Sequence, residues 1–165
     1  MRIFGLAGWS GSGKTTLLTA LIPEFVARGI TVSTVKHAHH DFDVDQKGKD
    51  SWRHREAGAR EVMVSSSRRW ALMHELRGLP EPSLEALVEH MSPVDLLLVE
   101  GFKRHPHPKL EVHRRALGAP LLHPDDPHIV AIACDEDLPD ASLPRLPLGD
   151  PGRIADFILR HQGLV

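Results

Sequence analysis

Arg2-Ile3-Phe4-Gly5-Leu6-Ala7-Gly8-Trp9-Ser10-Gly11-Ser12-Gly13-Lys14-Thr15-Thr16 opens the chain, followed through residue 36 by LLTALIPEFVARGITVSTVK. Arg2–Ala7 is a short apolar run of the kind shown by a strand covered on both faces. Beyond the glycines, Leu17, Leu18, Leu21, Ile22, Phe25 and Val26 recur at helical spacing, and Gly29 offers a C-terminal stop. Pro23 lies inside that helix and predicts a kink or a weakened turn. Ile30–Val35 is β-branched and reads as a second strand. Strand, glycine loop, helix and strand make a βαβ unit with parallel strands.

Gly8–Thr15 fits the pattern G-x-x-x-x-G-K-[ST], with strand and helix on the sides the pattern requires. Glycines let the backbone curl so that its N–H groups converge on phosphate oxygens, and the following helix presents its positive end to the same anion. Lys14 supplies a point charge for the β- and γ-phosphates, and the Thr15 hydroxyl is a magnesium ligand. Gly8, Ser10, Gly11, Ser12, Gly13, Lys14, Thr15 and Thr16 are therefore the phosphate-binding candidates.

A second magnesium-shell residue is expected at the carboxyl end of a neighbouring strand. Asp95–Glu100 carries an acid at each end, about 16 Å apart at 3.3 Å per residue. Ligands of open α/β sheets bind beyond the carboxyl ends of strands, which selects Glu100 and leaves Asp95 as a turn residue. Thr15 and Glu100 are thus the metal candidates, and Lys14 and Glu100 the candidates for any catalysis. Lys36 and His37 follow a strand that should adjoin the first, where a segment can respond to the γ-phosphate. Asp135, just past the strand Ile129–Ala133, has the carboxylate that guanine's N1–H and N2–H₂ require; its alternative reading is a turn aspartate. No N-K-x-D element occurs.

Outward from these residues, Lys36–Ser51 (KHAHHDFDVDQKGKDS) is a long polar connection, a length that usually marks function or mobility. Asp41, Asp43, Asp45 and Asp50 there are further candidates for a magnesium or water-positioning carboxylate. A short helix is expected over Trp52–Gly58, strands at Glu61–Ser65 and Arg69–His74, and a helix from a Ser83 cap through His90 with Leu84, Leu87, Val88 and Met91 inward. Lys109–His113 reads as an alternating strand, Arg145–Leu148 as a short one, and Gly152–His161 as a last helix. Strands alternating with helices define an α/β fold. The expectation is a three-layer P-loop NTPase fold with a mainly parallel sheet, helices on both faces and a few additional edge strands. A single nucleotide-binding domain over residues 1–165 suits the length.

The charge balance is 20 basic against 22 acidic residues, which argues against a nucleic-acid coat or a polybasic membrane binder. The longest clean apolar run, Ile129–Cys134, is far short of the ~20 residues of a membrane helix. One cysteine excludes an intrachain disulfide and any multi-cysteine metal site, and no signal peptide is evident, so a cytoplasmic protein is expected. Twelve histidines are unusual. His37, His39 and His40 suit nickel, copper or zinc, or else hydrogen-bond phosphates and backbone.

The segments GWSGSGKTTL, VKHAHHDFDVDQKGKDSWRHREAGA, RRWALM and DLLLVEGFKRHPHPKLEVHR, in this order, resemble the molybdopterin-guanine dinucleotide biosynthesis adapter proteins of the MobB family over nearly the whole chain. The resemblance implies a P-loop protein that binds GTP, hydrolyses it weakly, forms dimers and assists the guanylyltransferase that joins GMP to molybdopterin. By position it puts phosphates at Gly11–Thr16, magnesium at Thr15 and Glu100, and the nucleotide beside Lys36–Ser51. Molybdopterin-carrying proteins would be further partners; no nucleic acid or membrane is expected. The alternative is a metal-delivery GTPase of the nickel type using His37–His40, against which the missing cysteine ligands count. A small-molecule kinase is a third reading, without an assignable acceptor pocket.

Two further expectations follow. Glu61–Ser65, Arg69–His74 and Lys109–His113 exceed the needs of a nucleotide core, and a strand at an edge invites a partner strand, hence a homodimer. Turnover should be slow, because the phosphate loop has no second basic residue before Lys14 and Arg53, Arg55 or a partner would have to supply an arginine.

Overall fold

Leu96–Glu100, the most apolar strand of the sequence, is buried at all five positions and has a strand hydrogen-bonded on either side. The computed structural model describes residues 1–38, 42–136, 138 and 142–165. In chain order these form β1 (Arg2–Ala7), α1 (Lys14–Ala27), β2 (Val32–Lys36), α2 (Asp50–Glu56), β3 (Glu61–Ser65) and β4 (Trp70–His74). There follow α3 (Leu84–Glu89), β5 (Leu96–Glu100), β6 (Lys109–His113), β7 (Ile129–Cys134), β8 (Arg145–Pro147) and α4 (Pro151–Gln162), with a 3-10 turn at Arg115–Leu117. Two compact units result: Met1–His37 with Met91–Val165, and Ala38–His90.

The first unit holds a six-stranded sheet in the order β2-β5-β1-β6-β7-β8, parallel at every pairing. This is the P-loop NTPase-like α/β architecture. Its core joins Phe4, Leu6, Leu96, Leu98, Leu110 and Val112 of the sheet to Leu17, Leu21 and Phe25 of α1 and Ile154, Ile158 and Leu159 of α4. Each such side chain contributes about 1.5–3 kcal/mol by leaving water. The C-terminal helix starts where its sequence dictates: Asp150 accepts the Arg153 N–H at 3.0 Å and Pro151 takes the first helical position. Helix α1 runs unbroken from Lys14 to Ala27 through Pro23. Proline deprives only the Thr19 carbonyl of its donor, and Thr19 is exposed, so water can take the missing bond.

Lys109–His113 departs from expectation. Its alternation suggests a surplus strand with one wet face, yet it lies inside the sheet between β1 and β7 and is buried at all five residues. The polar positions are answered individually. Lys109 Nζ lies 3.0 Å from Asp126 Oδ2, and the Glu111 carboxylate accepts the N–H groups of Leu122 and His123 at 2.7 and 3.0 Å. Buried polar residues satisfied in this way mimic an amphipathic pattern without an exposed face.

In the second unit β3 and β4 form their own antiparallel pair, with Met63 opposite Leu72 and Ser65 opposite Trp70. Met63, Val64, Trp70 and Leu72 are exposed, whereas Val62 is buried. Arg55 is the hub of this unit, at 2.7 Å from Asp43, 3.3 Å from Asp45 and 3.0 Å from Glu75. Ser83 caps α3 through the Ala86 N–H, as expected; the helix ends at Glu89, with Leu84 buried and Leu87 and Val88 partly so. Among the described residues no helix is long and apolar enough to cross a membrane.

Candidate functional site

The loop between β1 and α1 curls back on itself, the Ser12 N–H reaching the Trp9 carbonyl at 3.2 Å. Gly8 is essential to that path. At φ 149° a Cβ there would lie 2.6 Å from the Val112 carbonyl oxygen and 2.7 Å from Ser12 Oγ, distances no side chain tolerates. Ser12 is 1% exposed and its hydroxyl has no hydrogen-bond partner among the described residues, a cost that a native site seldom carries without use. Lys14 Nζ donates to the carbonyl oxygens of Gly8 and Trp9, each at 2.9 Å. Partial burial lowers its pKa below the ordinary lysine value; Glu100 opposes this, and Lys103 and Lys36 add to it.

Helix α1 begins at Lys14 after Gly13, with no side-chain cap, so its first N–H groups point into the loop. The Thr15 hydroxyl donates to Glu100 Oε1 at 2.9 Å, and Lys36 Nζ lies 3.6 Å from the same oxygen. Register explains the convergence: Glu100 is level with Leu6 of β1 and Lys36 of β2. The His37 N–H donates to the Glu100 carbonyl at 2.8 Å. Gly101, at φ 98°, passes so close to His37 that a Cβ would approach its Cβ to 2.6 Å. Phe102 also takes a left-handed φ of 48° and brings its ring 5.0 Å from the His37 imidazole.

Lys14, Thr15, Lys36, His37 and Glu100 are therefore gathered at one place. Asp135 is connected to it indirectly: its Oδ2 lies 3.2 Å from Arg114 Nη1, and Arg114 Nε donates to the Ser12 carbonyl at 3.1 Å. Asp43 and Asp45, sequence candidates for a further magnesium-shell acid, are instead paired with Arg55. His39, His40 and Asp41 lie outside the described residues. Among the described residues no group of three or more His, Cys, Asp or Glu is gathered for a metal.

Sequence reasoning missed two contacts with the loop. Arg114 is one; its only signal is that paired arginines follow a strand on the carboxyl side. The other is Trp9, whose indole donates to the Pro120 carbonyl at 2.7 Å while Lys103 Nζ stands 5.8 Å from its ring centre. Nothing in the sequence pairs residues so far apart.

The chain is 46% identical over 160 residues to a molybdopterin-guanine dinucleotide biosynthesis adapter protein of Haemophilus influenzae, covering 94% of this chain and 86% of that one. To the protein of the same name in Escherichia coli it is 43% identical, covering 95% and 91%. The crystal structure of Bacillus subtilis MobB superposes with a TM-score of 0.77 at 25% identity, covering 98% of both chains. A family model described as MobB, molybdopterin guanine dinucleotide synthesis protein B, matches residues 3–135, more than half the chain, and the chain therefore belongs to the MobB family.

Proposed function

We propose that this protein is a cytoplasmic, GTP-binding adapter of molybdopterin-guanine dinucleotide biosynthesis that assists the guanylyltransferase joining GMP to molybdopterin. The observation that carries the nucleotide reading is the 2.9 Å bond from Thr15 to Glu100 beneath a glycine loop at the carboxyl ends of parallel strands. A hydroxyl and a carboxylate are the hard oxygen donors that magnesium prefers, and bound Mg²⁺ would neutralise charge between the β- and γ-phosphates. The residues fit that group. Gly8 leaves room for backbone approach, the unpartnered Ser12 hydroxyl is a spare donor, and the uncapped start of α1 favours an anion.

The role assignments follow from these contacts. Backbone N–H groups from Ser10 to Thr16 hold phosphates, and Lys14 exchanges its two carbonyl partners for phosphate oxygens. Lys36 and His37 border the γ-phosphate through Glu100. Asp135 receives the base. The adapter role rests on the names of the two relatives above. Slow turnover is the corresponding expectation, since Arg55 is engaged by three carboxylates within its own unit. We also read residues 1–165 as one functional domain, the second unit being an insertion between β2 and β5, and the exposed β3–β4 pair as the seat of a homodimer.

Titration calorimetry with GTP and Mg²⁺, combined with affinity purification from cells making the molybdenum cofactor, tests the proposal. Magnesium-dependent binding and co-purification of the guanylyltransferase are expected. A chain that binds no guanine nucleotide, or that retains bound nickel in place of that partner, would overturn it. Sedimentation at micromolar concentration should show twice 18.3 kDa.

A further inference from the structure

Arg114 lies outside the phosphate-loop motif, yet its guanidinium joins two parts of the site. Its Nε donates to the Ser12 carbonyl at 3.1 Å, and Nη1 stands 3.2 Å from Asp135 Oδ2. A Cβ on Gly13 would come within 3.4 Å of Nε and Nη2, so the flat guanidinium lies directly against the loop. The other oxygen of Asp135 faces the Arg115 N–H at 3.4 Å. The carboxylate at the end of β7 and the phosphate loop after β1 are thereby tied across the strand between them.

An isolated ion pair this exposed, with 41% and 32% of the two side chains accessible, adds little to stability. Its geometry is better suited to alignment. Guanidinium is permanently charged and planar, so it holds its partner in a set orientation. Each carboxylate oxygen also has a second lone pair, which leaves Asp135 able to accept from a base while Arg114 holds its other side.

We propose, on the basis of the reading that Asp135 accepts the guanine base, that Arg114 is the positioning residue for base selection. It holds the carboxylate at a set offset from the phosphate-binding N–H groups, so that a purine on bound phosphates meets Asp135 in register. Guanine then satisfies the carboxylate with two donors, whereas adenine presents a lone pair. Loss of Arg114 leaves both ends of the site intact but uncoordinated.

The test is equilibrium titration of GTP, ATP and inorganic tripolyphosphate, each with Mg²⁺, against the wild type and R114A, R114K, D135A and R114A/D135A, with thermal melts to confirm folding. R114A should lower the GTP-to-ATP affinity ratio about tenfold, in the range of one bidentate base contact, and change tripolyphosphate affinity less. R114K, which keeps the charge but cannot span both partners, should recover part of the ratio. The double variant should show the same ratio as D135A alone. If D135A loses discrimination while R114A keeps it, Arg114 is only a surface ion pair and the base reading stands. If D135A matches the wild type, or the wild type does not prefer GTP, the base reading and this inference fall together.

Discussion

Lys109 and Lys14 are two lysines of the same unit, one on β6 and one at the start of α1, and they are held in opposite ways. The first is 1% exposed and its ammonium has a carboxylate at 3.0 Å. The second rests on two neutral carbonyls of its own loop. Their surroundings repeat the contrast. Toward the amino ends of the strands, Asp95 is matched by the Thr31 N–H and hydroxyl at 2.8 and 2.6 Å. Toward the carboxyl ends, the Ser12 hydroxyl has no partner among the described residues, and Thr15 and Lys36 share one carboxylate. Charges that answer each other belong to the fold; those left with weak partners remain available to a ligand.

Breaking the saturated end should have the largest effect. Lys109→Ala strands Asp126 and should cost about 3–5 kcal/mol of stability, toward the lower figure because Asp126 keeps partial contact with water. Urea unfolding measures this; a loss under 1 kcal/mol would remove the distinction between the two ends.

His107 sharpens the same contrast through pH. It is 4% exposed, with its Nδ1 2.8 Å from that of His105 and its Nε2 without a partner among the described residues. Burial first, and the Lys109 charge second, push its pKa from 6.5 to about 4. The unfolded imidazole therefore takes a proton below pH 6.5 that the folded one refuses. Stability should be full above that pH and fall toward pH 4, by up to about 3 kcal/mol. His107→Gln should flatten this slope relative to the wild type; parallel slopes would place the acid sensitivity elsewhere.

At the open end the effect should move from stability to binding. Lys14→Ala should cost about 1.5–3 kcal/mol of GTP affinity with little change in melting temperature. Calorimetry on the folded variant decides this, and unchanged affinity removes Lys14 from the site. The smallest expected change is in Glu100→Gln, where binding persists but its dependence on magnesium concentration weakens.

The strands at Arg2–Ala7 and Glu61–Ser65 were legible to the residue because each is an uninterrupted run bounded by turn signals. The pairing of Thr15 with Glu100 was also within reach, since strand polarity alone puts Glu100 on the ligand side. Lys109–His113 is a strand at the bounds its sequence predicts, but its place inside the sheet is not legible there, because alternation reports polarity, and a buried polar residue with a private partner looks in sequence like an exposed one. Asp43 and Asp45 were open to misreading for the complementary reason: their partner, Arg55, is visible only when the second unit folds.

The glycine loop, the helix that follows it and the parallel character of the sheet were determined by the sequence itself, because backbone freedom, periodicity and strand polarity act over a few neighbouring residues. Which charges are spent on the fold and which are left for a ligand was decided by tertiary structure. Lys109 with Asp126, Arg55 with Glu75 and Arg114 with Ser12 and Asp135 are separated by 17 to 102 residues in the chain. Electrostatic partnership depends on distance in space and on exclusion of water, and neither exists until the strands have taken their order.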